Sequence, residues 1–262
     1  MKKFELTDEF ITLAFGNKLF RIKALVDFGT IKAGELGGFV EKEDNLSHFG
    51  NAWVFGNARV SGDAQVFGDA QVFGDAQVFG DARVSGDAQV FGDAQVFGDA
   101  RVFGDARVSG DAQVFGDAQV FGDARVFGDA QVFGDAQVSG DAQVFGDALV
   151  FGDALVSGNA RVSGNALVFG DALVSGNARV SGNADYAVVK GFGRYFRATT
   201  FFRCKDKILR VQCGCFYGDL AQFRKIVKKT HGDSKYAKEY LAIADLMELH
   251  FSDEKKRQEA SK

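Results

Sequence analysis

The chain of 262 residues contains 33 glycines and no proline, and its formal net charge is −4. Residues 51–182 carry 17 Asp and 7 Arg, whereas residues 183–262 carry 17 basic and 10 acidic side chains. No stretch approaches the roughly 18 apolar residues of a membrane span, and the N-terminus MKKFELTDEF lacks the apolar run of a secretory signal. We therefore expect a cytoplasmic protein without membrane contact and, from its bulk charge, without a nucleic-acid partner. Contact of the basic C-terminal part with nucleic acid is the less favoured alternative to an ordinary solvated surface, and its residues are Lys225, Lys228, Lys229, Arg194, Arg197, Arg203 and Arg210.

Residues 1–44 are predicted to form an N-terminal β-hairpin cap. Apolar strand-like segments flank Gly16-Asn17 within FITLAFGNKLFRIKAL, residues 10–25, and this pair is typical of a tight turn. The next segment, GTIKAGELGGFV at residues 29–40, leads into a region of repeats. We expect the hairpin to cover the first turn of those repeats, because open strand edges otherwise pair with other chains.

Residues 45–184 are predicted to form a β-solenoid of hexapeptide repeats. From Asn51 to Gly182 the pattern (D/N)-A-x-V-(F/S)-G occurs 22 times without an insertion, and residues 45–50, NLSHFG, are a degraded copy. Alternate side chains of a strand point to opposite faces, and the x position is mostly Gln or Arg, which are costly to bury unpaired. Ala and Val must therefore face inward and Phe outward, while Gly with Asp or Asn forms the corners.

The repeat resembles the hexapeptide-repeat superfamily, in which a small residue follows an aliphatic one after four positions, as Ala58 follows Val54. The resemblance implies an all-β solenoid, a left-handed parallel β-helix with three hexapeptides per coil. At a strand spacing of about 4.8 Å, the copies would make about 7 coils and a rod about 35 Å long. Phe follows the valine in 14 copies, where the family usually has a small or acidic residue, so a differently wound solenoid remains the alternative.

Residues 185–262 are predicted to form a C-terminal α+β cap domain. Three segments have the composition of short strands, namely YAVVKG, RYFRATTFFRCK and KILRVQCGCFYG. Asp219 and Gln222 have the spacing of a capping box, which predicts a first helix ending near Gly232, and a second helix is expected from about Ser234. Their predicted apolar faces contain Leu220, Phe223, Ile226 and Val227 in the first helix, and Tyr236, Tyr240, Ile243, Met247 and Phe251 in the second.

The two flanks carry a second resemblance. GTIKAGELGGFV before the repeats and GCFYG…THGDSKYAKEY after them are similar to segments of uncharacterised hexapeptide proteins of phages and prophages. This resemblance implies a bacterial host cell for the cytoplasmic location, and it brings no known activity.

One face of the predicted solenoid carries an unbroken column of aromatic side chains. With three hexapeptides per coil, the column contains Phe79, Phe97, Phe115, Phe133, Phe151 and Phe169. The neighbouring column is uncharged and ends in Leu149 and Leu167, whereas arginines gather on other faces. We predict that this face binds a second copy of the chain or a foreign protein, because monomers seldom leave such a patch wet. The alternative is that stacked rings bury one another and need no partner.

Catalysis, cofactors and metals are not expected. Many hexapeptide proteins are acyltransferases that use a histidine lodged between coils, but His48, His231 and His250 all lie outside the regular repeats. The Asp residues of one corner recur at every third hexapeptide and could attract cations, yet Asn replaces Asp in five copies, which favours a role in turn geometry. The three cysteines, an odd number outside the repeats, are expected to be reduced thiols.

These features favour a non-enzymatic scaffold or protein-binding module, phage- or prophage-encoded, that binds through the phenylalanine column. One alternative is an acidic rod that mimics DNA and inhibits a host enzyme or defence complex, although interspersed arginines weaken that hypothesis. The other is a hexapeptide acyltransferase, which the absence of histidine from the regular repeats disfavours.

Overall fold

The computed structural model describes residues 2–260, so Met1 and residues 261–262 of the predicted end units lie outside it. A parallel β-solenoid of about eight coils occupies the centre of the chain. Strands at the N-terminus extend one side of it, and an antiparallel sheet with two helices follows it. Within residues 2–260, no helical segment has the apolar length that a membrane span requires.

The N-terminal strands are β1 (Phe4–Thr12), β2 (Lys18–Ala24) and β3 (Leu36–Val40). β1 and β2 form the predicted antiparallel hairpin, which begins at Phe4 rather than at the expected Phe10. β2 pairs antiparallel with β3, and β3 pairs in parallel with the first regular strand of the same side of the repeats. The hairpin is therefore continuous with one sheet of the solenoid.

Each hexapeptide contributes one short strand. In chain order these are β4 (Trp53–Val54), β5 (Arg59–Val60), β6 (Gln65–Val66), β7 (Gln71–Val72), β8 (Gln77–Val78), β9 (Arg83–Val84), β10 (Gln89–Val90), β11 (Gln95–Val96), β12 (Arg101–Gly104), β13 (Arg107–Val108), β14 (Gln113–Val114), β15 (Gln119–Gly122), β16 (Arg125–Phe127), β17 (Gln131–Val132), β18 (Gln137–Val138), β19 (Gln143–Phe145), β20 (Leu149–Val150), β21 (Leu155–Val156), β22 (Arg161–Val162), β23 (Leu167–Val168), β24 (Leu173–Val174) and β25 (Arg179–Val180).

The coil contains three hexapeptides, as predicted. Each strand pairs in parallel with the strand of the third hexapeptide after it, as Gln95 does with Gln113. The three resulting sheets are called face 1 (β3, β5, β8, β11, β14, β17, β20, β23), face 2 (β4, β7, β10, β13, β16, β19, β22, β25) and face 3 (β6, β9, β12, β15, β18, β21, β24). One coil more than the expected number arises because β3 and Leu46, which bridges to Val66, complete a first turn.

The interior of the solenoid is a single column of alanine and valine. Every Ala and Val of the repeats is at most 1 % exposed, which confirms the inward orientation predicted from strand parity. The corner glycines from Gly50 to Gly176 have positive φ angles, +68° at Gly116, and a Cβ there would lie 3.0 Å from the backbone nitrogen of Gly134 in the next coil. Glycine is thus required both by backbone conformation and by the close approach of successive coils.

The hydrogen bonds between coils run in one direction. The Gln95 and Phe97 N–H groups donate to the carbonyl oxygens of Ala112 and Val114 in the next coil, both at 3.0 Å. The N-terminal end of the solenoid therefore presents unpaired C=O groups, and the C-terminal end presents unpaired N–H groups. The two ends need chemically opposite covers.

Side chains supply these covers. At the first coil, the buried ammonium group of Lys3 donates to the Ala52 carbonyl oxygen at 2.8 Å. At the last coil, the Leu173 N–H donates to the Thr200 hydroxyl oxygen at 2.8 Å, and the Ser181 N–H donates to an Asp185 carboxylate oxygen at 2.7 Å. A cation thus meets the carbonyl end and an anion meets the N–H end.

The C-terminal unit contains the antiparallel strands β26 (Tyr186–Val189), β27 (Thr199–Arg203), β28 (Leu209–Cys213) and β29 (Phe216–Asp219), followed by α1 (Leu220–His231) and α2 (Lys235–Ala260). The capping box is present, since the Gln222 N–H donates to Asp219 Oδ1 at 2.7 Å and the Asp219 N–H donates to Gln222 Oε1 at 2.9 Å. Most residues of the two predicted apolar faces are buried between the helices and the sheet, but Ile226 and Tyr236 are 36 and 37 % exposed, so their place in the buried faces was wrongly predicted.

Candidate functional site

Face 1 carries the aromatic column predicted from the sequence, here called the Phe ladder. Successive rings lie 4.9, 4.9, 4.8, 4.9 and 5.4 Å apart between centroids, and all five pairs are stacked. The ladder residues are Phe79, Phe97, Phe115, Phe133, Phe151 and Phe169. The spacing follows from the fold, because parallel in-register strands place identical side chains one strand spacing apart.

The rings of the ladder cover one another in part. Its residues are half-buried along its length, and Phe169, whose outer side has no further ring, is 52 % exposed. The stacking contacts are favourable, since offset parallel rings attract. The ladder is therefore a preordered surface whose rings keep outward edges in contact with solvent.

The other two faces carry only short aromatic stacks. On face 2, Phe73 stacks on Phe91 before Ser109 interrupts the column, and on face 3 Phe103 stacks on Phe121 before Ser139. The uncharged column beside the ladder consists of Gln77, Gln95, Gln113, Gln131, Leu149 and Leu167. Face 1 thus combines the longest aromatic stack of the described chain with the absence of charge over six coils.

Two clefts border the ladder, and no pattern in the sequence indicates either of them. The first, of about 530 Å³, lies beneath the hairpin tip and is lined by Leu13, Phe15, Ser61 and Phe79 among others. It opens because Ser61 replaces a phenylalanine next to Phe79, and Phe15 at its rim is 97 % exposed. Only the folded hairpin brings residues 13–17 to this place.

The second cleft, of about 490 Å³, lies at the opposite end of the ladder. It is lined by Leu167 and Phe169 of the solenoid and by Tyr186, Val188 and Lys190 of the C-terminal unit. Tyr186 donates its hydroxyl hydrogen to the Leu167 carbonyl oxygen, and burial raises the pKa of this phenol. Face 1 therefore continues past the ladder at both ends as clefts that also contain charged side chains, Glu41 and Arg59 at one end and the ion pair of Asp171 and Lys190 at the other.

His48 lies at the N-terminal end of the solenoid, where its side chain packs against residues of the first coil and of β1. Its ring stacks on Phe4 with centroids 4.4 Å apart, and its Nδ1 accepts a hydrogen bond from the Lys3 N–H at 3.2 Å. Its Nε2 lies 3.7 Å from a Glu43 carboxylate oxygen. Both ring nitrogens thus face groups that hold the first coil together.

The acidic corners are exposed columns rather than a chelating pocket. Asp87, Asp105 and Asp123 follow one another along one edge, each in the same corner position. Among the described residues, no group of three or more His, Cys, Asp or Glu side chains is arranged to hold a metal ion. The thiols of Cys204, Cys213 and Cys215 are free, and burial raises the pKa of Cys204.

The coil geometry, the buried Ala–Val column and the external ladder define a repeat β-helix protein, that is, a parallel β-solenoid with an aromatic ladder. In sequence, its repeats are similar to the YdcK Beta solenoid repeat, whose family model matches residues 76–92, 94–110, 100–116, 118–134, 142–158 and 160–176. No curated protein matches the chain significantly in sequence.

Proposed function

We propose that the chain is a non-enzymatic scaffold that binds proteins through the Phe ladder, and that its first partner is a second copy of itself. The observation that supports this proposal most directly is the run of five stacked ring pairs beside a column that is uncharged from Gln77 to Leu167. Exposed apolar patches of this kind mark interaction sites in proteins.

A second copy fits the ladder because its surface has the same period. Two ladders that meet about a twofold axis place rings of one copy opposite the gaps of the other along the whole length, since both repeat every 4.8 to 4.9 Å in their inner rungs. Such an interface is isologous and closes as a dimer. The Gln side chains beside the ladder can hydrogen-bond across it without burying charge.

The available area sets the expected affinity. Six rungs at about 4.8 Å on strands about 15 Å wide give about 400 Å² per copy, and the eight coils with both clefts give about 550 Å². A specific interface needs about 500 Å² per partner and commonly has about 800 Å². The ladder with its clefts lies at the lower end, so we expect a dimer with a dissociation constant in the micromolar range.

The non-enzymatic part of the proposal is supported by His48. The Lys3 N–H donates to Nδ1 of His48, and Nε2 of the same ring lies near the Glu43 carboxylate. Because both nitrogens face groups of the protein, His48 is not placed to act as a general base on a substrate. We expect no acyl transfer from coenzyme A or acyl-carrier donors. Turnover that disappears in His48→Ala would contradict this expectation.

The setting of the proposed scaffold is a phage or prophage protein in the cytoplasm of a bacterial cell. This part is supported by the likeness of the flanking segments alone. Inhibition of a host enzyme by DNA mimicry is the second hypothesis, supported by the exposed Asp columns of the corners.

The test is a triple substitution on the ladder, Phe97→Ser, Phe115→Ser and Phe133→Ser. Serine occupies the same repeat position in eight natural copies, so the coil accepts it. The matched control changes three phenylalanines of the other faces to serine, at Phe103, Phe121 and Phe145. Mass is measured by light scattering between about 10 and 200 µM, and folding by circular dichroism.

We expect the wild type and the control to dimerise and the ladder variant to remain monomeric. A folded ladder variant that dimerises like the wild type would refute the ladder as the self-binding face. A wild type that is monomeric throughout but is captured by a basic host enzyme would favour DNA mimicry instead.

A further inference from the structure

The loop between β26 and β27, residues 190–198, exposes an unusual set of side chains. Its sequence KGFGRYFRA places three aromatic residues within five positions, and Phe192, Tyr195 and Phe196 are 43, 62 and 65 % exposed. Aromatic residues normally lose most of their surface on folding, so three that remain in solvent side by side indicate a contact surface.

The backbone holds these rings outward. Phe196 has a φ of +53°, a left-handed conformation that costs a non-glycine residue about 1 kcal/mol or more. The middle of the loop is fixed, because the Gly193 N–H donates to a Glu239 carboxylate oxygen at 2.9 Å and a Cβ at Gly193 would collide with the Tyr240 hydroxyl. The loop is thus anchored to α2 at Gly193 and strained at Phe196, and backbone strain of this kind clusters at functional positions.

Two arginines flank the central ring. The guanidinium carbons of Arg194 and Arg197 lie 5.5 and 5.0 Å from the centroid of Tyr195. Neither guanidinium group makes a hydrogen bond or an ion pair with the part of the chain that the structure describes. Glu239, which reaches the loop, is engaged by Gly193 and lies 3.4 Å from the Lys235 ammonium nitrogen.

A cleft of about 200 Å³ opens behind these arginines. It is lined by Arg194, Tyr195, Arg197, Thr230, His231 and Tyr240, among others, and no carboxylate is among its lining residues. Lys225, Lys228 and Lys229 of α1, the helix that supplies Thr230 and His231 to this cleft, are exposed as well. Two available guanidinium groups beside an exposed ring match a phosphate next to a flat base.

We propose that the 190–198 loop binds single-stranded nucleic acid, with a base stacked on Tyr195 and the adjoining phosphates held by Arg194 and Arg197. The net negative charge of the whole chain predicts no nucleic-acid partner. The proposal departs from that expectation because the net positive charge is confined to the C-terminal unit. The acidic solenoid repels a polyanion and restricts contact to the C-terminal unit. Stacking and backbone contacts carry little base preference, so the binding tolerates any sequence.

The measurement is fluorescence anisotropy of a labelled oligothymidine of about 15 nucleotides with the full chain, between about 50 and 200 mM salt. The comparison ligands are the same oligonucleotide as a duplex and a free mononucleotide. We expect the single strand to bind at least about tenfold more tightly than either. Each phosphate contact to a single strand contributes about 0.7 to the slope of log affinity against log salt.

Three variants locate the contact. Arg194→Gln with Arg197→Gln is expected to weaken binding at least about tenfold at the lower salt and to reduce the salt slope by about 1.4. Tyr195→Ala is expected to weaken binding by about 5- to 100-fold with the slope unchanged. The matched control is Arg107→Gln with Arg125→Gln, which removes the same charge from face 2, where glutamine occupies the equivalent position in the coils at Gln89 and Gln143.

Equal loss of binding in the control and in the loop variant would overturn the proposal, as would absence of binding by the wild type at about 50 mM salt. Equal affinity for the duplex or for the mononucleotide would also overturn it. If the loop variant changes the mass measured by light scattering, the loop is an interface between copies and the nucleic-acid proposal fails. The Phe ladder variant keeps the loop intact, so the two proposals can fail independently.

Discussion

Replacing Lys3 by methionine should change how the stability of the protein depends on pH. The Lys3 side chain is 3 % exposed, and its ammonium group donates to the carbonyl oxygens of Ala52 and Gly50 and lies 4.7 Å from the centroid of the Phe28 ring. Burial lowers the pKa of Lys3 from 10.5 to about 8, an effect that the charge of Asp69 partly opposes.

The sign of the effect follows from proton binding. Between pH 8 and 10.5, Lys3 is largely neutral in the folded state and protonated in the unfolded state, so the unfolded state binds more protons. The free energy of unfolding therefore rises with pH across this window. Each tenfold difference in proton affinity corresponds to about 1.4 kcal/mol, which gives a gain of about 3 kcal/mol over the whole window.

The assay is urea unfolding of the wild type and of Lys3→Met at pH values from 7 to 10. Subtracting the two curves removes the contribution of groups that do not interact with Lys3, including tyrosines such as Tyr240, whose burial raises its pKa to about 12. Lys2→Met is the matched control, because Lys2 is exposed and pairs with Glu43 at the surface. We expect the wild type to gain about 2 kcal/mol on Lys3→Met between pH 8 and 10, and nothing on Lys2→Met.

A difference between the wild type and Lys3→Met that stays constant from pH 7 to 10 would refute the reasoning. It would mean that Lys3 keeps an ordinary pKa in the folded protein and is not buried against the first coil. A decrease with rising pH would mean that the charged form is favoured there.

Four further changes test the solenoid and its end. Gly170→Ala has open space around the new Cβ and should cost only the left-handed backbone penalty of about 1–2 kcal/mol, whereas Gly116→Ala also meets the next coil at 3.0 Å and should cost about 1 kcal/mol more in urea unfolding. Equal losses of stability in the two variants would show that the next coil moves aside for the methyl group at Gly116 without cost. Thr200→Val leaves the Leu173 N–H without its acceptor and should cost about 1–3 kcal/mol in the same assay, and an unchanged midpoint would argue against the cap. Deletion of residues 186–262 should cause end-to-end stacking, measured by light scattering, and a monomeric truncated rod would show that the C-terminal unit is not a cover.

The repeats were predictable because their information is local and redundant. The parity of Ala and Val within one hexapeptide settles which side chains face inward, and the count of three hexapeptides per coil settles which ones stack, as Phe97 does on Phe115. The capping box at Asp219 was predictable for the same reason, since its two side chains belong to a single helical turn.

The unpredicted features depend on contacts between distant positions. Lys3 meets Ala52 across 49 residues, and the hairpin tip at Phe15 reaches Ser61 only after β1, β2 and β3 have joined face 1. The strained Phe196 and the two arginines around Tyr195 arise from a loop without periodicity. No local sequence pattern indicates these long-range contacts, because they depend on how the two ends of the chain fold against the coils.

Because each coil consists of three equal hexapeptides, the length of the rod and the angular position of the C-terminal unit around it can change independently. Inserting three hexapeptides adds one coil, moves the C-terminal unit away by about 4.8 Å and returns it to the same angular position. Inserting a single hexapeptide instead turns it by one third of a revolution, so that the cleft at Phe169 would no longer share a face with the cleft at Phe79. The number of whole coils therefore sets the distance between the two end units, and the number of additional hexapeptides sets the angle between them.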